Sequence, residues 1–345
     1  MQRRARFPAS AFTTRSVLIW IGLFPAAAIP RAQTGCAFTP TGEVVPTEFS
    51  YGRVFVRAAI GPLRNILLYT DTGGGMQSLY ADVARRLGDP IDTVRWTAGG
   101  SSGISLVARV PDAQLDPSVP GFAERVPGHL DFVFDTAAPP PEDAGPVWAG
   151  RLGSMWFADR VWTIDYQHQQ LHMSGQGPAG PAIESCWSPL AFQVDSAGNR
   201  PYGFARIAAR IDGETIQFLL DTGARTVLTD SARALIDPRQ PASRATSFVI
   251  TDLFERWHAR HPDWPVIRRA ERGTNAAMIR VPSVQIGQTV VGPVWFTERA
   301  NENFHQFMST YMDSQIDGAL GGSAFQHGAL VIDYPRARAA LVVPP

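Results

Sequence analysis

The sequence predicts a mostly β protein made of two similar halves. It holds 31 glycines and 28 prolines in 345 residues and only 18% charged residues, a composition typical of chains rich in turns and strands. Two strand-like stretches each end in Asp-Thr-Gly, the first at Asp71 and the second at Asp221. A helical pattern follows each motif, so the same order of elements occurs twice.

Composition limits the possible functions. With 45% apolar residues, the chain is long and hydrophobic enough to fold around a substantial core, which excludes a disordered protein. All 31 basic residues are arginine. The lack of lysine excludes Schiff-base catalysis, a Walker phosphate-binding loop and kinase chemistry, because each of these needs a lysine amine.

The first 32 residues have the pattern of a secretory signal peptide. They carry five arginines and no acidic residue, then a mostly apolar stretch over 17–29 that Pro25 interrupts, then small residues. We expect an exported protein, periplasmic or secreted, with no stable membrane span after cleavage; an uncleaved membrane anchor is the alternative. Without this segment 26 basic residues face 31 acidic ones, so no basic stripe indicates a nucleic-acid partner.

The two cysteines, Cys36 and Cys186, would share an oxidising compartment after export. Neither lies near a cluster of histidines and carboxylates with metal-ligand spacing. We therefore predict one disulfide and no metal site. Lipid modification of Cys36 is the alternative, although Gln33-Thr34-Gly35 lacks the apolar residue that such a site usually has.

The two halves also correspond beyond the Asp-Thr-Gly motifs. Downstream of each motif comes Gly-x-Leu-Gly, at 150–153 and 318–321, and then a strand-like stretch that ends in Asp-Tyr. These elements are offset by 168 residues and the Asp-Thr-Gly motifs by 150, so the second half carries about 18 extra residues. Helices are expected over 77–87 and 229–236.

This repeat divides the chain into five predicted segments. They are a signal peptide over 1–32, an N-terminal extension over 33–50, a first lobe over 51–173, an inter-lobe linker over 174–200 and a second lobe over 201–345.

An apolar strand that ends in Asp-Thr-Gly brings a carboxylate to the end of a buried element, on a turn that glycine makes possible. A single such aspartate is usually a turn or cap residue. Two copies are different, because pseudo-twofold symmetry brings equivalent loops together at the axis. Carboxylates that meet within hydrogen-bonding reach share one proton, so Asp71 and Asp221 would supply one acid and one base for activating a water.

Asp-Thr-Gly followed by an apolar-Leu-Gly element in each half resembles the aspartic peptidases. The arrangement is similar to the retropepsin fold duplicated in one chain, as in pepsin-like enzymes, and 218–224 is the closer of the two matches. The resemblance implies a bilobal acid-protease fold with two pseudo-twofold-related, β-barrel-like lobes and short helices. It also implies that Asp71 and Asp221 are catalytic. The residues that it implies as supports of the active loops are Thr72, Gly73, Thr222, Gly223, Gly153 and Gly321.

The resemblance further implies a β-hairpin flap over the cleft. The glycine-rich stretch 96–103 lies between strand-like runs, so we expect Trp96, Gly99 and Gly100 at a flap that covers substrate. A simple hairpin turn with a buried Trp96 is the alternative. The corresponding region of the second half, 246–253, has no glycine, which favours a single flap.

The first half departs from the family pattern at two places. Gly74 and Gly75 follow the first motif where the family more often has Ser, Thr or Ala, so a hydroxyl that steadies Asp71 is missing. Arg151 directly precedes Leu152-Gly153, where an apolar residue is usual. The first half is therefore the weaker match.

Taken together, the sequence predicts an exported aspartic endopeptidase that hydrolyses polypeptides with no metal and no organic cofactor. We expect a monomer, because a duplicated chain needs no partner to complete its pair of aspartates. A catalytically inactive retropepsin-like binding or assembly protein is the alternative. A more distant alternative is a serine hydrolase acting through Ser101, since 99–103 fits a Gly-x-Ser-x-Gly pattern that needs a strand before it and a helix after it.

Overall fold

A computed structural model of the chain describes Cys36, Gly177 and the ranges 38–87, 91–98, 101–111, 115–116, 129–135, 146–175 and 181–343. Gln33–Pro345 form one compact unit. The fold is mostly β, as the sequence predicts, and the longest helix in the described ranges has ten residues. The predicted signal peptide, 1–32, lies outside the described residues.

The first half of the chain contributes twelve of the strands that the described residues form. They are β1 (Glu43–Val45), β2 (Thr47–Ser50), β3 (Arg53–Ile60), β4 (Leu63–Thr70), β5 (Ser78–Tyr80), β6 (Ile91–Ala98), β7 (Ser101–Pro111), β8 (Leu115–Asp116), β9 (His129–Asp135), β10 (Gly150–Leu152), β11 (Val161–Asp165) and β12 (Gln170–Ser174).

The strands that follow belong to the rest of the chain. They are β13 (Ser188–Ala191), β14 (Arg206–Ile211), β15 (Glu214–Leu220), β16 (Arg225–Val227), β17 (Ser243–Ala245), β18 (Ser247–Ile250), β19 (Val266–Ile267), β20 (Met278–Val281), β21 (Val284–Ile286), β22 (Thr289–Val291), β23 (Val294–Arg299), β24 (Gly318–Leu320), β25 (Ala329–Asp333) and β26 (Arg338–Val342).

The helices of the described residues are short. They are α1 (Ala81–Ala84), α2 (Ser154–Phe157), α3 (Pro181–Glu184), α4 (Asp230–Ile236), α5 (Thr251–Arg260) and α6 (Gly322–Phe325), with 3-10 turns at Arg85–Leu87 and Met308–Tyr311 and a π-helical turn at Asn303–Phe307.

Two large sheets hold most of these strands. The smaller runs in the order β2-β3-β4-β10-β5-β9-β7-β6 and belongs to the first half. The larger runs in the order β1-β12-β11-β25-β26-β13-β14-β15-β24-β18-β23-β20-β19 and takes strands from both halves. Neither sheet closes on itself within the described residues, so the expected barrel-like lobes are not seen as closed barrels.

The strands that lead to the two Asp-Thr-Gly motifs enter the core in the same way. The last three residues of β4 and the last three of β15 are buried. Nearer its start, each strand has at least one exposed residue. Each strand pairs in parallel with a short strand from its own half, β4 with β10 and β15 with β24. The apolar run before each motif therefore carries the aspartate inside the molecule.

The two halves meet where β11 pairs with β25. Thr163 pairs with Val331, which the 168-residue offset makes its equivalent, and the flanking pairs are exchanged: Val161 with Asp333 and Asp165 with Ala329. A local twofold axis produces pairing of this kind. All five residues of each strand are buried, so this contact lies in the core.

The predicted disulfide is confirmed. Cys36 and Cys186 are bonded, their Cα atoms lie 6.0 Å apart, and both residues are buried. The bond ties the chain before β1 to the segment before β13. Among the described residues, no helix has the length and apolar character needed to cross a membrane.

Several local expectations can be compared with the structure. The helix expected over 229–236 and the strands before both motifs are present. The helix expected over 77–87 is wrong at its start, because Ser78–Tyr80 pairs with β9 and β10 as strand β5 and only α1 and one 3-10 turn follow. The predicted extension 33–50 supplies β1 and β2, and the predicted linker 174–200 supplies α3 and β13.

Candidate active site

Backbone hydrogen bonds place the two aspartates identically in the two halves. The amide of Asp71 donates to the carbonyl of Leu152 at 2.9 Å, and the amide of Asp221 donates to the carbonyl of Leu320 at 2.9 Å. Each leucine ends the short parallel strand beside its own motif. The Gly-x-Leu-Gly element that the sequence repeats is therefore the support on which each Asp-Thr-Gly turn rests.

Two threonines connect the turns to each other. The amide of Thr222 donates to Thr72 Oγ1 at 2.9 Å, and the amide of Thr72 donates to Thr222 Oγ1 at 3.2 Å. Thr72 Oγ1 also donates to the carbonyl of Leu220 at 2.8 Å. Both threonines are fully buried, so these bonds fix the distance between the two loops where water does not compete.

The glycines of the motifs let the carboxylates approach the opposite loop. A Cβ atom on Gly73 would lie 2.4 Å from Asp221 Cγ, and one on Gly223 would lie 2.2 Å from Asp71 Oδ1. No side chain fits at such distances. Each carboxylate packs on the glycine of the other motif, and the structure thus brings Asp71 and Asp221 together.

The shared site raises the pKa of Asp221 well above its usual value. Burial is the largest cause, followed by the charge of the Asp71 carboxylate and the hydrogen bond between the two side chains. Two groups act in the opposite direction: the amide of Gly223, which donates to Asp221 Oδ1 at 2.9 Å, and the charge of Arg151. The two carboxyl groups therefore interact strongly enough to hold one proton between them and to titrate as a pair.

Gly153 and Gly321, which end the two Gly-x-Leu-Gly elements, lie close to the backbone of the active-site region. A Cβ atom on Gly153 would lie 2.0 Å from the carbonyl oxygen of Gly75, so Gly153 packs directly on the first loop. A Cβ atom on Gly321 would lie 2.0 Å from the carbonyl oxygen of Thr246 and 3.1 Å from that of Asp221. At both positions the neighbouring backbone is so close that any residue larger than glycine would clash with it.

Two of the three residues at which the first half departs from the aspartic-peptidase pattern, Gly74 and Arg151, lie next to Asp71. Arg151 Nη1 lies 3.3 Å from Asp71 Oδ2 in an ion pair, and the Arg151 side chain is 40% exposed. A Cβ atom on Gly74 would lie 2.5 Å from the same carboxylate oxygen. The first aspartate therefore has a cation beside it, and none of the described residues forms an ion pair with Asp221.

The stretch predicted as a flap forms a hairpin. Strands β6 and β7 pair along their whole shared length, with Ala98 opposite Ser101 and Trp96 opposite Gly103. Gly99 and Gly100, expected at the flap tip, lie outside the described residues. Ser101 begins a strand and not a helix, so the strand-turn-helix geometry that a serine nucleophile elbow needs is not formed here.

A cavity of about 670 Å³ opens beside Gly73 and Asp221. Part of its wall is the segment 302–308, which follows β23 and carries no distinctive sequence motif. Arg299 at the wall is held by a bidentate ion pair with Glu271, at 2.7 and 2.8 Å, and lies over the ring of Phe248 at 4.1 Å. Phe304, Phe307 and Met308 also line the cavity.

Two further residues lie at the site but do not stand out in the sequence. The hydroxyl of the buried Tyr69 donates to the carbonyl of Gly223 at 3.0 Å and so adds a second tie between the halves. The guanidinium of Arg225, next to the second motif, lies 5.5 Å from the ring centroid of Trp148 in the first half. Only their positions beside the motifs could have indicated them, because an aromatic residue in an apolar strand usually belongs to the core.

No protein-family model matches the chain, and no curated protein matches it. Function is therefore inferred from the geometry of the site.

Proposed function

We propose that the protein is an exported aspartic endopeptidase with a bilobal acid-protease fold, in which Asp71 and Asp221 hydrolyse peptide bonds through an activated water. One observation carries this proposal: two buried aspartates of a duplicated motif lie against each other's glycines across a reciprocal threonine brace. The exchanged pairing of β11 and β25 supports a pseudo-twofold relation between the lobes. The Cys36–Cys186 disulfide is compatible with export.

The proposed reaction needs one carboxylate and one carboxylic acid. Asp71 removes a proton from the water while the water oxygen attacks the peptide carbonyl carbon, and Asp221 donates its proton to the carbonyl oxygen. Asp71 then returns its proton to the amide nitrogen, the C–N bond breaks, and one hydroxyl proton of the intermediate goes back to Asp221. Proton and bond changes balance without a metal or an organic cofactor.

Hydrolysis of a mixture of unfolded proteins between about pH 3 and 7 tests the proposal. We expect cleavage by the mature chain and a loss of at least about a thousandfold in Asp71→Asn and in Asp221→Asn, since the asparagine amide neither takes nor gives the proton. Asp82→Asn, at an exposed aspartate of α1, is the matched control and should keep full activity. Folded Asp→Asn variants that cleave as fast as the wild type would refute the mechanism.

One observation favours a second candidate function, a catalytically silent peptide-binding protein. The ion pair between Arg151 and Asp71 occupies one oxygen of the carboxylate that would activate the water. This alternative predicts that a statine-type peptide binds to the wild type while no hydrolysis occurs at any pH.

A further inference from the structure

The two halves differ at two of the positions that contact the first aspartate. The 150-residue offset makes Gly74 equivalent to Ala224, and the 168-residue offset makes Arg151 equivalent to Ala319. The structure preserves the second equivalence, because Arg151 pairs with Tyr69 two positions before Asp71, and Ala319 pairs with Leu219 two positions before Asp221.

These two differences act on one atom. Asp71 Oδ2 accepts from Arg151 Nη1 at 3.3 Å, and it lies where the side chain of any residue other than glycine at position 74 would be. In the second half both positions carry a methyl group, and Ala224 and Ala319 are buried. Glycine at 74 therefore leaves space for the carboxylate position in which Arg151 contacts it.

We propose that Arg151 is a positioning residue for Asp71 and that, with Gly74, it makes the pair of aspartates asymmetric, so that Asp71 carries the negative charge and Asp221 the proton. The proposal rests on the proposed function for its consequence in catalysis, but the asymmetry itself is a property of the folded chain.

The charged and titratable groups around Asp71 are consistent with this assignment. Arg151 faces it from β10, Asp221 from the loop after β15, and Tyr69 from β4. Arg53 and Arg225 act electrostatically on Tyr69. On the other side, Asp221 is near the buried hydroxyl of Tyr166. Arg151 is thus the one cation that is in contact with a member of the pair among the described residues.

The test is a carbon-13 NMR titration of the Asp221 carboxyl group, whose signal is identified by its loss in Asp221→Asn. The positive charge of Arg151 lowers the pKa of Asp221, so its removal should raise that pKa. We expect the titration midpoint of Asp221 to move to higher pH in Arg151→Met and to move less in Arg151→Lys, which keeps the charge.

Arg336→Met is the matched control. Arg336 Nη1 also lies 3.3 Å from a buried carboxylate, that of Asp333, and the Arg336 side chain is 50% exposed. This variant should leave the Asp221 midpoint unchanged. An unchanged midpoint in folded Arg151→Met, or an equal shift in Arg336→Met, would overturn the proposal.

Kinetics separate this inference from the proposed function. If the protein hydrolyses peptides, the alkaline limb of its pH profile should move to higher pH in Arg151→Met, since that limb reports loss of the Asp221 proton. Gly74→Ala should reduce kcat strongly while Arg151 is present and less so in Gly74→Ala/Arg151→Ala, which copies the second half. If the midpoint moves in Arg151→Met but the wild type cleaves no peptide, the asymmetry is supported and only the peptidase function is refuted.

Discussion

At the scale of single residues, the threonine brace is not symmetric. Thr72 Oγ1 accepts from the amide of Thr222 and donates to the carbonyl of Leu220. Thr222 Oγ1 accepts from the amide of Thr72 and has no second partner among the described residues. Loss of the Thr72 hydroxyl therefore leaves two buried backbone groups without their partner, and loss of the Thr222 hydroxyl leaves one. Unpaired buried groups cost roughly 1–3 kcal/mol each.

We predict that Thr72→Val lowers the free energy of unfolding by roughly 2–4 kcal/mol and Thr222→Val by about half as much. Urea unfolding of the two variants measures both values. Since valine has the shape of threonine, each variant is the matched control for the other. Equal losses would show that the second hydrogen bond of Thr72 contributes nothing to stability.

The raised pKa of Asp221 has a consequence for stability. A carboxyl group whose pKa is higher in the folded than in the unfolded chain binds its proton more tightly when folded, so its contribution is complete below the unfolded value and is lost as pH rises through the folded one. The pH range over which this contribution is lost begins near 3.8, the usual pKa of aspartate, and extends to higher pH.

Asp221→Asn removes this titration. We predict that the unfolding free energy of Asp221→Asn relative to wild type increases as the pH is raised from about 4 to 7, because the neutral amide never has to lose a proton in a buried site. Urea unfolding at several pH values gives the difference. A difference that does not change with pH would contradict the assignment of the retained proton to Asp221.

At the scale of elements, the segment 302–308 forms part of the wall of the cavity beside the aspartates. Phe304 is buried against the core, whereas Phe307 is 54% exposed at the opening. An exposed aromatic ring next to a buried carboxylate pair offers apolar surface to a substrate side chain.

We predict that Phe307→Ala lowers kcat/KM roughly tenfold for peptides with a large apolar side chain beside the cleaved bond, mostly through KM. Peptides with glycine at that position should be affected much less. Leu235→Ala, at a side chain of α4 that is 73% exposed, is the matched control. An equal loss for both peptides would mean that Phe307 does not contact the substrate side chain.

The elements also show what the sequence could predict. Both strands before the motifs, the elements around Leu152 and Leu320, and the helix after Thr229 follow from local patterns and from the repeat. The start of the expected helix at 77–87 does not, because strands distant in sequence pair with Ser78–Tyr80 and override its periodicity. The contact between Arg151 and Asp71 joins residues 80 positions apart, so the sequence marks Arg151 only as unusual.

At the scale of the whole molecule, the larger sheet joins the two halves, and the disulfide closes a loop of 150 residues that contains the first half. In the chain-entropy account, a crosslink over a loop of this length restricts the unfolded chain strongly.

We predict that Cys36→Ser/Cys186→Ser loses roughly 3–5 kcal/mol of unfolding free energy. Wild type treated with a reductant should unfold at the same urea concentration as the double variant. The reductant should have no effect on the double variant itself, and any effect there would show that it acts on another feature of the protein.

The equivalence of Thr163 and Val331 across the β11–β25 contact has a consequence for the evolution of this protein. In an assembly of two identical chains every mutation occurs twice, so a residue beside one aspartate is also beside the other. Joining the copies in one chain removes that constraint, and each half accumulates its own substitutions. Arginine near one aspartate and alanine near the other is a combination that only the joined chain can explore.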